Sequence, residues 1–213
     1  MLKIIDARIH SIPVNHRGNW VLLEIESADH HKGWGEASDS LNETECIAGI
    51  TRLIHDFKGR EIDPIIYANS LINSVPNDRL SRTPPSAIAQ ALYDIACRAE
   101  GISLAEKLSQ NQEIRDSVKY YCNVNRSSAD RKPTSIAEAG YRALKSGCKH
   151  VKIAPFDELI SNTFYADAKK LVQPGIKRLE ALREAVGNQT NLMIDCHWRF
   201  TKHTVPILAS ICK

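Results

Sequence analysis

Asn191-Leu-Met-Ile-Asp195-Cys-His197 sets a carboxylate and an imidazole one residue apart at the end of an apolar run. The run reads as a short strand that delivers both groups to its C-terminal end. A carboxylate there suits a hard divalent cation, which takes oxygen ligands, and a histidine beside it suits proton transfer near neutral pH. Val151-Lys152-Ile-Ala154 places a lysine on a second such run, and Asn123-Val-Asn125-Arg126 puts polar side chains after a third. His16 and Arg17, in the turn-rich stretch Pro13 to Trp20, could meet an anion or a carboxylate. Each has a plainer reading. Asp195 could cap a turn, Lys152 could serve packing or a salt bridge, His197 could be a surface histidine, and His16-Arg17 an exposed polar loop. The acidic pair Asp157-Glu158 suggests a two-carboxylate acid/base site, but a loop or helix start after Pro155 accounts for it more simply.

The elements that would carry these residues fall into two parts. Lys3 to Ile12 and Val21 to Glu26 alternate apolar and polar residues, the signature of strands, and Gly33-Trp-Gly-Glu36 reads as a third short strand. Thr44 to Phe57 and Pro84 to Leu108 repeat apolar residues at helical spacing, with Pro84-Pro85 suited to a helix start and Gly101 to a stop. Glu36 and Asp94 are assigned to structure. After about Asp116 the order becomes strand (Val118 to Val124), helix (Ser135 to Lys145), strand (His150 to Ala154), helix (Ile176 to Val186) and strand (Leu192 to Asp195). That alternation implies parallel strands, whose C-terminal ends are where such sheets keep their sites. No G-x-G-x-x-G turn follows the first strand, which argues against dinucleotide binding. The boundaries proposed are 1–116 and 117–213.

Composition narrows the partners. A chain of 213 residues, 43% hydrophobic and 25% charged, can bury real cores. Its formal charge of +3 is dispersed, so nucleic acid is not expected as a partner. No apolar run approaches the roughly 20 residues of a membrane span, and a cytoplasmic location is expected. Six cysteines without a C-x-x-C pair indicate neither a zinc site nor a disulfide framework.

Taken in order, the strand pair, Gly33-Trp-Gly-Glu36, the helix Ser86-Ala-Ile-Ala-Gln-Ala-Leu-Tyr-Asp94-Ile-Ala, Val151-Lys152-Ile-Ala-Pro-Phe156 and Met193-Ile-Asp195-Cys-His197-Trp-Arg-Phe200 resemble the mandelate racemase and muconate lactonizing branch of the enolase superfamily. The resemblance covers essentially the whole chain. It implies an α+β capping domain over a TIM-type barrel that binds Mg2+ and removes the proton α to the carboxylate of a small-molecule substrate. Asp195 matches that family's first metal ligand, and Lys152 the first lysine of its K-x-K motif. The resemblance further implies catalytic roles for His197 and Lys152, and substrate contacts from His16, Arg17 and Asn125.

Two departures stand out. Ala154 replaces the second K-x-K lysine, so the base is missing or is Lys152 or His197, and a histidine at that spacing also occurs in some acid-sugar dehydratases of the superfamily. The residues after Val118 suffice for about three β/α units at roughly 30 residues each, where a barrel has eight strands. The expectation is therefore a truncated member with a complete capping domain and an incomplete barrel. Its parent activity would be acid-sugar dehydration, with racemisation or lactonisation as alternatives. The chain itself is expected to bind no Mg2+ specifically, to be inactive alone, and at most to act as a non-catalytic remnant or an interaction subunit that joins a homo-oligomer. The run Val205-Pro-Ile-Leu-Ala-Ser-Ile211 is expected to lack a surface to cover.

Overall fold

The computed structural model describes residues 1–15, 18–38, 42–109, 112–160 and 163–211. The chain divides into two compact units, Met1–Asp116 and Ser117–Lys213.

The first unit contains β1 (Leu2–Asn15), β2 (Gly18–Ser27), β3 (Lys32–Glu36), α1 (Glu43–Phe57), β4 (Glu61–Ile62), α2 (Pro64–Asn73), α3 (Arg79–Glu100) and α4 (Leu104–Ser109). The strands form an antiparallel sheet in the order β3-β2-β1-β4. Period-two alternation turns Val21, Leu23 and Ile25 inward, and a register shift between Ile4 and Asp6 brings Ile4 in beside them, where they meet Ile50 and Phe57 of α1 and Ile88, Leu92 and Ile95 of α3. Burying one such side chain contributes about 1.5–3 kcal/mol.

The Gly33-Trp-Gly-Glu36 segment has a mechanical explanation. A Cβ on Gly33 would collide with the Ala91 carbonyl oxygen, and one on Gly35 with that of Ala87. The two glycines therefore let α3 lie directly on β3. The helix also closes the sheet edge, because Asp94 Oδ2 accepts the Trp34 N–H at 2.9 Å and Gln90 Oε1 accepts the Glu36 N–H at 3.1 Å. Asp94 thus serves the fold.

Two expectations for this unit are corrected. Pro13 to Trp20 is mostly paired ribbon, with Ile12 opposite Trp20 and Pro13 opposite Asn19. The ribbon is extended by side chains, since Asn19 Nδ2 donates to Ser11 Oγ at 3.0 Å and Ser11 Oγ donates to Glu43 Oε1 at 2.7 Å. His16 and Arg17 lie outside the described residues. Pro84 and Pro85 sit inside α3, which starts at Arg79 behind its Asp78 cap. Both prolines are buried, and Pro84 packs against Gly49 of α1 closely enough that a Cβ there would lie 2.9 Å from the proline ring. Thr83 Oγ1 also donates to the Arg79 carbonyl at 2.7 Å, satisfying one acceptor near the helix start. As its sequence position suggested, Gly101 ends the helix, at φ 70°, a left-handed cap where glycine is at no disadvantage, and α4 follows as a separate short helix.

The second unit contains β5 (Cys122–Asn123), α5 (Val124–Ser127), α6 (Pro133–Lys145), β6 (His150–Ile153), α7 (Tyr165–Leu171), α8 (Gln173–Val186), β7 (Asn191–Ile194) and α9 (Val205–Ile211). Its described strands form a 3-stranded parallel sheet in the order β5-β6-β7 and not a complete barrel. The first strand is Cys122–Asn123 and not Val118 to Val124; at its C-terminal end the Asn123 side chain accepts the Asn125 N–H at 3.0 Å and turns the chain into α5. Val205 to Ile211 is helical, and Ile207 is buried in the core beside Leu208 and Ile211, so that run does cover a surface. Val151, Ile153, Leu179 and Leu182 form the centre of this core.

Candidate active site

Strand alternation decides which side chains share a face. Val151 and Ile153 are fully buried among the helices, so Lys152 between them points to the opposite face. Asn123 and Met193 are its register partners on β5 and β7. One step past β7, the Asp195 N–H donates to the Ile153 carbonyl at 2.8 Å and extends the ladder to the strand's C-terminal end.

Three of the residues singled out in the sequence meet there. Lys152 Nζ lies 3.0 Å from Asp195 Oδ2, and His197 Nε2 lies 3.4 Å from the same oxygen. Asp195 Oδ1 accepts the His197 N–H at 3.0 Å. Tyr121, which the sequence reading passed over, supplies a hydroxyl that accepts from Lys152 Nζ at 3.3 Å and a ring centred 5.1 Å from it. The His197 backbone N–H, then the Lys152 ammonium, hold the Asp195 carboxyl below the usual carboxylate range. Asp195 and then Tyr121 hold Lys152 above the ordinary lysine value. Held so, the lysine presents its ammonium to the Asp195 carboxylate and the Tyr121 hydroxyl as a hydrogen-bond donor.

Asp195, Cys196, His197, Trp198 and Arg199 form an unusual turn. The Arg199 N–H donates to the Cys196 carbonyl at 2.9 Å, and the two central residues are left-handed, His197 at φ 46° and Trp198 at φ 61°. That is the arrangement of a type I′ turn, for which Asn-Gly is the favoured pair. Replacing His197 and Trp198 together by Asn and Gly is expected to stabilise the second unit by about 1–2 kcal/mol, through relief of left-handed strain. Thermal denaturation followed by circular dichroism checks this, and an unchanged or lower midpoint counts against the strain.

Three arginines hold the segment behind the site. Arg178 donates to both carboxylate oxygens of Glu158, at 2.7 and 2.9 Å, and to the Pro155 carbonyl at 2.7 Å. Arg131 bonds Asp157 and the Ala154 carbonyl. Arg199 Nη1 reaches the carbonyls of Phe156, Asp157 and Leu159 at 2.7–2.8 Å. Asp157 and Glu158 are thus structural ion pairs. Asn125 is buried, and its Oδ1 accepts the Ala154 N–H at 2.9 Å and Arg131 Nη1 at 3.3 Å, so that oxygen is committed within the protein. A groove of about 680 Å³ lined by Ile176, Leu179, Leu192 and Ile194 lies on the helix side of β7 and not beside Asp195.

Among the described residues no group of three or more His, Cys, Asp or Glu side chains could hold a metal ion. Among the described residues Asp195 is the carboxylate in contact with Lys152 and His197, and its Oδ2 faces an ammonium. These side chains do not make the near-octahedral oxygen set that magnesium takes.

A parallel α/β unit with polar groups at its strand ends, following an antiparallel sheet backed by helices, defines a fold class shared with solved proteins. The mandelate racemase/muconate lactonizing enzyme from Sulfitobacter sp. superposes with a TM-score of 0.73 over 99% of this chain and 57% of its own, at 17% identity. An enolase from Agrobacterium radiobacter, solved with Na and L-malate bound and an ordered active site, gives 0.65 over 92% of this chain and 48% of its own, at 23% identity. In sequence, the D-gluconate dehydratase of Thermoproteus tenax is 26% identical over 195 residues, 89% of this chain and 37% of that enzyme. No family model matches the chain. The chain resembles the mandelate racemase/muconate lactonizing branch of the enolase superfamily, and its curated relatives are named as acid-sugar dehydratases. It spans about half or less of the length of those it matches most strongly. No helix among the described residues is long and apolar enough to cross a membrane.

Proposed function

We propose that this chain carries the acid-binding and proton-handling part of an acid-sugar dehydratase site. The observation that supports it is the convergence of Lys152, Asp195 and His197 at the C-terminal ends of two parallel strands. The relatives' names supply the substrate class, a polyhydroxy acid.

In this reading the Lys152 ammonium, with the Tyr121 hydroxyl beside it, receives the substrate carboxylate. A positive group there favours the extra negative charge that develops when the α-proton leaves. His197 is the proton carrier, since its Nε2 lies 3.4 Å from Asp195 Oδ2 and about half of its side chain is open to solvent. Asp195 orients both, through its contact with Lys152 and its acceptance of the His197 N–H. A divalent cation would stabilise the enediolate as a Lewis acid, but its carboxylates would have to come from outside the described residues, so no step is assigned to it.

Titration with D-gluconate, followed by NMR of the histidine rings, tests the reading. His197 signals should shift saturably, and Lys152→Met should abolish the shift. Signals that do not move, or that move equally in the Lys152→Met variant, contradict it. The isolated chain is expected to show no dehydration of acid sugars above a His197→Asn control, because positioning groups without full charge stabilisation leave most of the barrier standing. A non-catalytic interaction subunit is the second reading, favoured by the Lys152–Asp195 pair that already occupies the carboxylate.

A further inference from the structure

Trp198 is the outstanding oddity of the second unit. It is 94% exposed, the highest exposure of any large hydrophobic side chain described. It also occupies a left-handed backbone position, at φ 61°, directly after another at His197. A bulky aromatic pays both for that backbone and for its exposed ring, where glycine would avoid both. Such conformations persist only where surrounding contacts over-determine them.

Those contacts are present on both sides of the residue. Before it, Asp195 Oδ1 holds the His197 N–H at 3.0 Å. After it, the Arg199 N–H closes the turn on the Cys196 carbonyl at 2.9 Å, and its guanidinium grips the carbonyls of Phe156, Asp157 and Leu159. The turn is therefore a rigid mount that holds the largely exposed Trp198 directly after Asp195 and His197 along the chain.

We infer that Trp198 is a specificity-determining residue whose ring packs on the carbon chain of a polyhydroxy acid held at Lys152. The inference rests on the acid-site reading above. An extended sugar acid presents C–H groups between its hydroxyls, and an aromatic face offers them a large apolar surface at little conformational cost. A carboxylate site alone would not distinguish a sugar acid from a short hydroxy acid. An aromatic platform beside it does, because only the longer chain reaches the ring.

Calorimetric titration of the whole chain with two probes separates these roles. D-gluconate carries a polyol chain, and L-malate has the carboxylate and α-hydroxyl without it. Trp198→Ala should weaken D-gluconate by about tenfold and leave L-malate unchanged, while Trp198→Phe, which keeps a ring, should retain most of the D-gluconate affinity. Lys152→Met should weaken both. Equal loss of both ligands in Trp198→Ala, or loss of neither, overturns the role of the indole and leaves the acid site standing. Loss of D-gluconate in Trp198→Phe to the same extent as in Trp198→Ala, in proteins that melt like the parent, also overturns it. An unmodified chain that binds neither probe contradicts the acid site, and this inference with it.

Discussion

Arg178→Met is expected to cost the second unit about 3 kcal/mol and to shift its urea midpoint accordingly, a larger loss than any substitution at the candidate site. The side chain is buried, and its donors satisfy Glu158, the Pro155 carbonyl and the Arg131 carbonyl together. Methionine fills similar volume but leaves a partly buried carboxylate and two carbonyls without their donor. The figure is the low end for a broken buried pair, since the Glu158 side chain keeps 32% exposure. The same pair sets an acid limit. Burial raises the Glu158 carboxyl, but Arg178 outweighs it and leaves the folded value below the usual 4.5. The stabilisation is therefore present at and above the unfolded glutamate pKa and is lost as pH falls below 4.5 through the folded value. Stability measured from pH 6 to pH 3 should show this decline in the parent and a flatter profile in Arg178→Met. Parallel profiles would mean that Glu158 draws its stability from elsewhere.

Gly35→Ala is expected to destabilise the first unit by about 3 kcal/mol or more, since α3 cannot retreat from the new methyl without breaking the bonds that close the β3 edge. The added Cβ would run into the Ala87 carbonyl, which is backbone and cannot rotate away. Gly59→Ala provides the comparison, because a Cβ there meets nothing within 4 Å although its φ is 82°. That substitution should cost about 1–2 kcal/mol, the strain of a left-handed residue alone. Equal losses at the two positions in chemical denaturation would show that backbone conformation, and not helix-to-strand contact, explains the glycines of this segment.

Much of this architecture was legible because it depends on local periodicity. Ala7 and Ile9 alternate with Asp6 and Arg8 and pack on the core as a two-residue period requires, but Ile5, expected on the same face, is exposed and Ile4 is buried because the register shifts between Ile4 and Asp6. Lys152 between Val151 and Ile153 could be placed on the opposite face by the same rule. What escaped the sequence was long-range. The hairpin runs through Pro13 because Glu43, far along the chain, holds Ser11 and Asn19. The open side of β1 at that point also needs no N–H from proline. Pro84 sits within a helix where Gly49 of another helix gives its ring a packing site. At the site, Asp195 and His197 were visible as a pair, whereas Tyr121 depended on a neighbouring strand. Arg178 left a usable signal, since a charge on the buried stripe with Gly175, Leu179, Leu182 and Val186 demands a partner. Its partner Glu158 belonged to the acidic pair that had suggested an acid/base site.

The Asp195 carboxylate can serve either the Lys152 ammonium or a bound cation. A calorimetric titration with MgCl2, in the absence and presence of D-gluconate, measures that directly. Because Asp195 Oδ2 faces the Lys152 ammonium at 3.0 Å, no stoichiometric magnesium site should appear, and D-gluconate should bind without the metal. A single tight magnesium site that disappears in Asp195→Asn, with D-gluconate binding only once it is filled, would contradict the account.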